Sequence, residues 1–318
     1  MKSPFALTLC LTLAACGSSS EPSASPPGGA GAAGSAGAAG SAGAPAIVDG
    51  DYDPVPVGGP RPAKVYVPGS YVEGTPTPLL VMLHGYGASG LAEEIYLGLR
   101  PIADAKGLLL VHPDGTIDAQ KKRFWNATDA CCDFNKTNVD DVGYISGLVD
   151  EIAARFTVDA SRVMLLGHSN GGFMSHRLAC EKSGKFSAIA SLAGMAYADD
   201  ARCGSPGPIA VLQIHGTADD TVPFDGEALA GGISAPSAEA TVTKWAAFGG
   251  CTSGPTQGAP LDLDRDLAGD ETTVSRYDGC KPGAAAELWA IQKGSHVPAL
   301  SQAGVTRVVE FLLSHHKP

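Results

Sequence analysis

Short apolar runs recur along most of the chain, at residues 63–67, 79–83, 108–111, 163–166, 188–192, 209–214 and 287–291. Most are continuous rather than alternating, the pattern of strands buried on both faces of a largely parallel sheet. Between them the apolar period changes to that of a helix. Val142, Ile145, Val149, Ile152 and Phe156 share one helical face, with Asp140 and Asp141 at its positive N-terminal end. Ser237 caps a further helix carrying Val242, Trp245 and Phe248, and residues 173–180 are also compatible with a helix. The alternation predicts one doubly wound α/β domain over residues 50–318, with helices on both faces of the sheet. No repeat of solenoid period interrupts it.

The N-terminal residues follow another pattern. Lys2 precedes an apolar run over residues 5–15. That run is short of the roughly 20 residues needed to span a bilayer but suits a signal peptide, here residues 1–15. Leu13-Ala14-Ala15-Cys16-Gly17 resembles a bacterial lipobox, and the resemblance implies cleavage before Cys16 and lipid attachment to its sulfur. Gly17 and Ser18 stand where an inner-membrane retention signal would place Asp, so an outer-membrane or cell-surface lipoprotein is expected. Residues 16–49 then form the lipidated Cys and a linker of Gly, Ala, Ser and Pro, with too little apolar surface to offset its ordering entropy. A flexible chain of this length has an end-to-end distance of about 30 Å.

Composition narrows the choice. The 318 residues hold 22 Lys and Arg against 33 Asp and Glu, a formal charge of −11. This disfavours nucleic acid as a partner, and it disfavours a polybasic membrane face, leaving the N-terminal lipid as the membrane contact. Of the 41 glycines, eight belong to the linker, and no collagen period extends beyond it. Beyond Cys10 and Cys16, six cysteines remain: Cys131, Cys132, Cys180, Cys203, Cys251 and Cys280. They allow 15 pairings. Cys180–Cys203 and Cys251–Cys280 are the pairs we expect, since each would staple a loop after a strand or helix. Cys131 and Cys132 are left either joined to each other or paired elsewhere. No Cys-x-x-Cys or His cluster suggests a metal.

Three strand ends carry reactive side chains. The run 163–166 leads into Gly167-His168-Ser169-Asn170-Gly171-Gly172 and then a helix, the strand–turn–helix setting of a Gly-x-Ser-x-Gly nucleophile. Ser169 is the candidate nucleophile, and His168 is read as packing beside it. The run 209–214 ends in His215-Gly216-Thr217-Ala218-Asp219-Asp220. Asp219 is the candidate acid, with Asp220 and then Asp225 as rivals and His215 a support of the strand end. After the last run comes Ser295-His296-Val297-Pro298, with His296 as the base. The order Ser169, Asp219, His296 is that of nucleophile, acid and base in a hydrolase sheet. Leu83-His84-Gly85-Tyr86-Gly87 ends an earlier strand, so the backbone N–H groups of Tyr86 and Asn170 are the candidate oxyanion hole. Such a set transfers an acyl group to water and requires no cofactor.

Several motifs occur together and in order: Phe124-Trp125-Asn126, Cys131-Cys132, Val139-Asp140-Asp141-Val142-Gly143, Gly167 to Gly172, Arg177-Leu178-Ala179-Cys180, and His215-Gly216-Thr217-Ala218-Asp219. Over about residues 55–318 the chain resembles the polyhydroxybutyrate depolymerase and feruloyl esterase family of α/β-hydrolases. The resemblance implies an α/β-hydrolase fold and a secreted serine esterase, and it supports Ser169, Asp219 and His296 as triad. Members often carry Gly-His-x-Trp-Pro at the catalytic histidine. This chain has Ser295-His296-Val297-Pro298, so feruloyl or acetyl polysaccharide esters and short polyesters both stand as substrates.

About 14 residues separate the strands ending near Ala193 and starting near Pro208, which leaves little room for a large lid. The long insertions are residues 112–141 and 224–286. Trp125, in the first, is read as lining a substrate subsite or as a core anchor. Neither insertion reads as an added polymer-binding module, and a monomer is expected. The alternatives to an esterase are an inert surface-binding protein of the same fold and a serine peptidase.

Overall fold

The computed structural model describes residues 49–228 and 234–318. The predicted signal segment 1–15, the predicted lipid-attachment residue Cys16 and the predicted linker up to residue 48 lie outside the described residues. The chain passes through two short strands, β1 (Asp51–Tyr52) and β2 (Val65–Val67), then β3 (Thr77–Leu83), helices α1 (Gly90–Leu97) and α2 (Leu99–Lys106), and β4 (Leu109–Val111). A small antiparallel pair, β5 (Thr116–Ile117) with β6 (Arg123–Phe124), leads to α3 (Asp141–Arg155), β7 (Val158–His168) and α4 (Asn170–Lys182). Next come β8 (Ala188–Leu192), the one-turn α5 (Asp200–Cys203), β9 (Ala210–Gly216) and a second small pair, β10 (Glu227–Ala228) with β11 (Ser234–Ala235). Helix α6 (Ala238–Phe248), strands β12 (Ser253–Gln257), β13 (Thr272–Asp278) and β14 (Ala285–Ile291), and helix α7 (Gln302–Ser314) follow.

Ten strands form one sheet in the order β1-β2-β4-β3-β7-β8-β9-β14-β13-β12. The six from β4 to β14 run parallel, and two antiparallel strands extend each edge. The parallel strands are the ones written as continuous apolar runs. Every residue of β3, β8 and β9 is buried, because helices cover both faces of the sheet. On one face α3, α4 and α6 contribute Ile145, Ile152, Phe173 and Trp245 to the core. On the other, α1, α2 and α7 contribute Leu97, Ile102, Val308 and Leu312.

Local chemistry marks the helix starts. The Asp140 carboxylate accepts the Gly143 N–H at 2.7 Å at the head of α3, and the Ser237 hydroxyl accepts that of Ala240 at 3.0 Å at the head of α6. The segment 224–286, read from sequence as one long insertion, also holds β12 and β13. These extend the sheet as an antiparallel edge. All of β12 is exposed and β13 alternates, so neither writes an apolar run.

Between β8 and β9 the chain carries only α5, with no lid-sized element. Disulfides join Cys180 to Cys203 and Cys251 to Cys280, and Cys131 is bonded to its neighbour Cys132. Among the described residues no helix is long and apolar enough to cross a membrane.

Candidate active site

The parallel strands end along one edge, and four of those ends build the site. Strand β7 turns sharply into α4 at Ser169, whose φ of 53° and ψ of −120° lie outside the comfortable region for a residue with a side chain. Two glycines make the turn possible. A Cβ on Gly167 would come within 2.1 Å of the Gly171 carbonyl oxygen, and one on Gly171 within 2.0 Å of that of Leu83. The Ser169 N–H donates to the Leu192 carbonyl at 2.7 Å, tying the turn to β8.

Across the sheet, the loop after β14 brings His296 over this turn. Its Nε2 is 2.9 Å from the Ser169 Oγ, and its Nδ1 is 2.8 Å from the Asp219 Oδ2 in the loop after β9. The other Asp219 oxygen accepts the N–H groups of Thr221 at 2.9 Å and Val222 at 2.8 Å. The Asp219 side chain has no solvent contact. Burial opposes its charge, but the donors from His215, His296, Val222 and Thr221 together hold its pKa well below the usual carboxylate range. Asp220 and Asp225, the rival acids, are exposed on the same loop and make no contact with His296.

The turn after β3 is framed from below. His84 is fully buried; its Nδ1–H donates to the Gly85 carbonyl at 2.7 Å, while its Nε2 accepts the Gly115 N–H at 2.9 Å. Burial lowers its pKa, consistent with an imidazole carrying one proton. The Asn170 side chain bonds Trp125 twice, accepting its N–H at 2.7 Å and donating to its carbonyl at 2.9 Å. The Trp125 indole N–H donates to the His84 carbonyl at 3.1 Å. Trp125 is therefore a core anchor that locks the Ser169 turn to the β3 turn. With no exposure at all it does not line a substrate subsite, which corrects the subsite reading. Among the described residues, the backbone N–H groups of Tyr86 and Asn170 have no hydrogen-bond partner.

Two buried residues that the sequence had not marked also bear on the site. Glu93 of α1 places Oε1 2.9 Å from His168 Nδ1, an ion-pair contact between two buried groups. The His168 Nε2–H donates to the His296 carbonyl at 3.0 Å. Burial disfavours a charged His168, but Glu93, the His296 carbonyl and Asp219 outweigh it and raise its pKa. On the far side of Asp219, Gln213 in β9 stands between His176 and His215. A lone polar residue inside the apolar run 209–214 was the available signal for Gln213. Nothing in the apolar pattern marked Glu93.

Among the described residues no group of three or more His, Cys, Asp and Glu forms a metal-binding cluster. The arrangement joins a strained serine, an imidazole, a buried carboxylate and free backbone donors. It can transfer a proton from Ser169 toward His296 and stabilise negative charge beside Ser169.

The chain is similar in sequence to several esterases. It is 26% identical to the feruloyl esterase B of Piromyces equi over 260 residues, 80% of this chain and 46% of that one. It is 30% identical to a probable feruloyl esterase C of Aspergillus flavus over 226 residues, 67% of this chain and 73% of that one. Over 149 residues it is 37% identical to the NocK protein of Nocardia uniformis, 47% of this chain and 42% of that one. The match thus spans less than half the length of the Piromyces and Nocardia relatives. In structure it superposes on an acetyl xylan esterase from Aspergillus awamori with a TM-score of 0.57 at 12% identity, covering 79% of this chain and 93% of that one, a likeness of fold. The profile of the phospholipase/carboxylesterase family matches residues 72–234, half of the sequence. The chain belongs to that family of α/β-hydrolases.

Proposed function

We propose that this protein is a secreted serine carboxylic ester hydrolase with Ser169 as nucleophile, His296 as base and Asp219 as the acid that orients it. The observation that carries the reading is the unbroken contact from Ser169 Oγ through His296 to Asp219, 2.9 and 2.8 Å. His296 takes the Ser169 proton as the serine oxygen attacks the ester carbonyl, and the backbone N–H groups of Tyr86 and Asn170 receive the oxyanion. The imidazolium returns the proton to the departing alcohol, leaving an acyl-serine. A water activated by His296 then attacks that acyl group and frees the acid.

The names of the relatives favour hydroxycinnamoyl or acetyl esters on polysaccharide over short polyesters such as polyhydroxybutyrate. Phe134 is 65% exposed and packs edge-on against Tyr86, and Val297, 55% exposed, follows His296. They offer apolar contact for an aromatic acyl group. Export with lipid on Cys16 and a linker over residues 16–49 would present the domain, residues 50–318, to such polymers.

The test is a panel of p-nitrophenyl acetate, methyl ferulate, acetylated xylan and polyhydroxybutyrate, run on the wild type and Ser169→Ala. Turnover should fall on the order of 10⁴-fold or more in the variant. Equal turnover of both proteins on every ester would leave an inert binding protein. Labelling with palmitate, lost in Cys16→Ser, checks the anchor.

A further inference from the structure

Behind Asp219 runs a buried chain of hydrogen bonds that the ester-cleaving groups do not include. The Trp245 indole N–H donates to His176 Nδ1 at 2.9 Å. His176 Nε2 lies 3.0 Å from the Gln213 Oε1, and the Gln213 Nε2 lies 3.2 Å from His215 Nδ1. His215 Nε2 is 2.8 Å from the Val222 carbonyl and 3.3 Å from the Asp219 Oδ2. His176, Gln213 and His215 have no solvent exposure.

The direction of every bond in this chain is set by its ends. An indole N–H can only donate, so His176 Nδ1 accepts and its proton is on Nε2. That proton requires the oxygen of the Gln213 amide. The Gln213 nitrogen meanwhile donates to the Gly194 carbonyl at 2.7 Å, which excludes the flipped amide. The amide N–H₂ therefore faces His215 Nδ1, which must accept, and the His215 proton sits on Nε2. There it meets two acceptors, the Val222 carbonyl and Asp219. Turned the other way, the ring would set a lone pair against both oxygens and Nδ1–H against an N–H₂ group. Burial lowers the His176 pKa to about 4, so that ring too carries one proton.

We propose that Gln213 is a positioning residue of the active site, which fixes His215 as the Nε2–H tautomer and thereby the loop that carries Asp219. Val222 is held twice, its carbonyl by His215 and its N–H by the Asp219 Oδ1. The carboxylate is thus supplied with a single-proton imidazole on one side, and its negative charge is left for the imidazolium that forms on His296. The proposal rests on the ester-hydrolase reading for its kinetic consequence, though not for the tautomer itself.

Two measurements test it. Histidine-selective ¹⁵N NMR of the full chain near neutral pH should show His176 and His215 as Nε2–H tautomers; His215 as the Nδ1–H form overturns the proposal. Gln213→Glu keeps the shape but offers His215 Nδ1 an acceptor. The ring then either turns its lone pair toward Asp219 or takes a second proton and competes with His296 for the carboxylate. Its kcat should fall about tenfold to a hundredfold with KM within about twofold. Gln213→Met removes the amide without offering an acceptor, so the Val222 carbonyl and Asp219 alone hold the tautomer, and its kcat should fall by less than that of the Glu variant. Equal losses in the Glu and Met variants, or no loss in Glu, would mean that the amide only packs. If the Glu variant does not fold, the wild-type spectrum decides alone. A wild type inactive on every ester would count against the ester-hydrolase reading and leave the tautomer to be judged by its spectrum.

Discussion

His168 and His215 are both buried against the proposed triad. One lies a residue before Ser169 and the other four before Asp219, and both end on a carbonyl of a loop that carries a triad member. Their other nitrogens face opposite kinds of partner. His168 Nδ1 meets the Glu93 carboxylate, so both of its nitrogens look at acceptors and the ring is drawn toward the charged form. His215 Nδ1 meets the N–H₂ of Gln213, so one nitrogen must accept. The first builds an ion pair that clamps α1 to the His296 loop. The second sets a single N–H beside a carboxylate whose charge is needed elsewhere. Two imidazoles of similar burial are assigned different roles by one atom of the neighbouring side chain, oxygen or nitrogen.

The largest effect is expected where both loops converge, at Asp219. In Asp219→Asn, the N–H groups of Thr221 and Val222 still require an oxygen at the Oδ1 position. The new amide nitrogen is thereby forced toward His296 Nδ1. That ring must then accept there, which puts its proton on Nε2 facing Ser169, where it cannot take another. We expect kcat to fall by about 10⁴-fold with the fold retained, read by ester turnover and by the thermal midpoint. A loss below tenfold would mean that His215 can orient the loop well enough without the carboxylate.

Next comes the ion pair. Glu93→Leu removes the carboxylate that raises the His168 pKa, so the buried ring goes neutral with Nδ1 left unpaired, at a cost of about 1–3 kcal/mol. Denaturant unfolding should show the loss. Because His168 holds the His296 carbonyl, kcat should fall as well. A variant of wild-type stability would show that the pair contributes nothing net, its Coulombic gain cancelled by desolvation.

How much of this was legible beforehand follows from where each residue sits. Ser169, Asp219 and His296 each close or follow an apolar strand run, so the runs themselves pointed to them. The α3 and α6 starts were legible because Asp140 and Ser237 cap them. Glu93 was not, since α1 is short, leaves Leu91 and Ile95 exposed, and interrupts rather than extends the helical apolar period. The β12 and β13 edge was missed for a related reason: an exposed or half-exposed strand needs no apolar run. His168 and His215 were correctly placed as supports beside the site, but their difference was invisible, because it depends on residues 75 positions before one and two before the other. Trp125 is open in the sequence between a substrate subsite and a core anchor, since an aromatic near reactive residues suits either, and its complete burial decides for the core.

The smallest effect is the most direct check on the comparison. Glu93→Gln gives His168 the kind of partner that His215 has, an amide in place of a carboxylate. The sign of its pH dependence follows from the raised His168 pKa. A histidine whose pKa is higher folded than unfolded stabilises the protein fully below its unfolded value, about 6.5. That contribution is lost as pH rises through the folded value. The wild type should therefore exceed the Gln variant in stability most near pH 6, by about 1–2 kcal/mol, the net worth of a charge-assisted bond over a neutral one. The gap should close as pH rises into the alkaline range, read as paired unfolding midpoints from pH 6 to 9. Asp219 gives no competing slope in that range, because a carboxylate with a lowered pKa keeps its full contribution above its unfolded value, about 4, and loses it only as pH falls below that. A gap that stays constant across the series would show that His168 does not change charge on folding, and the contrast with His215 would reduce to shape.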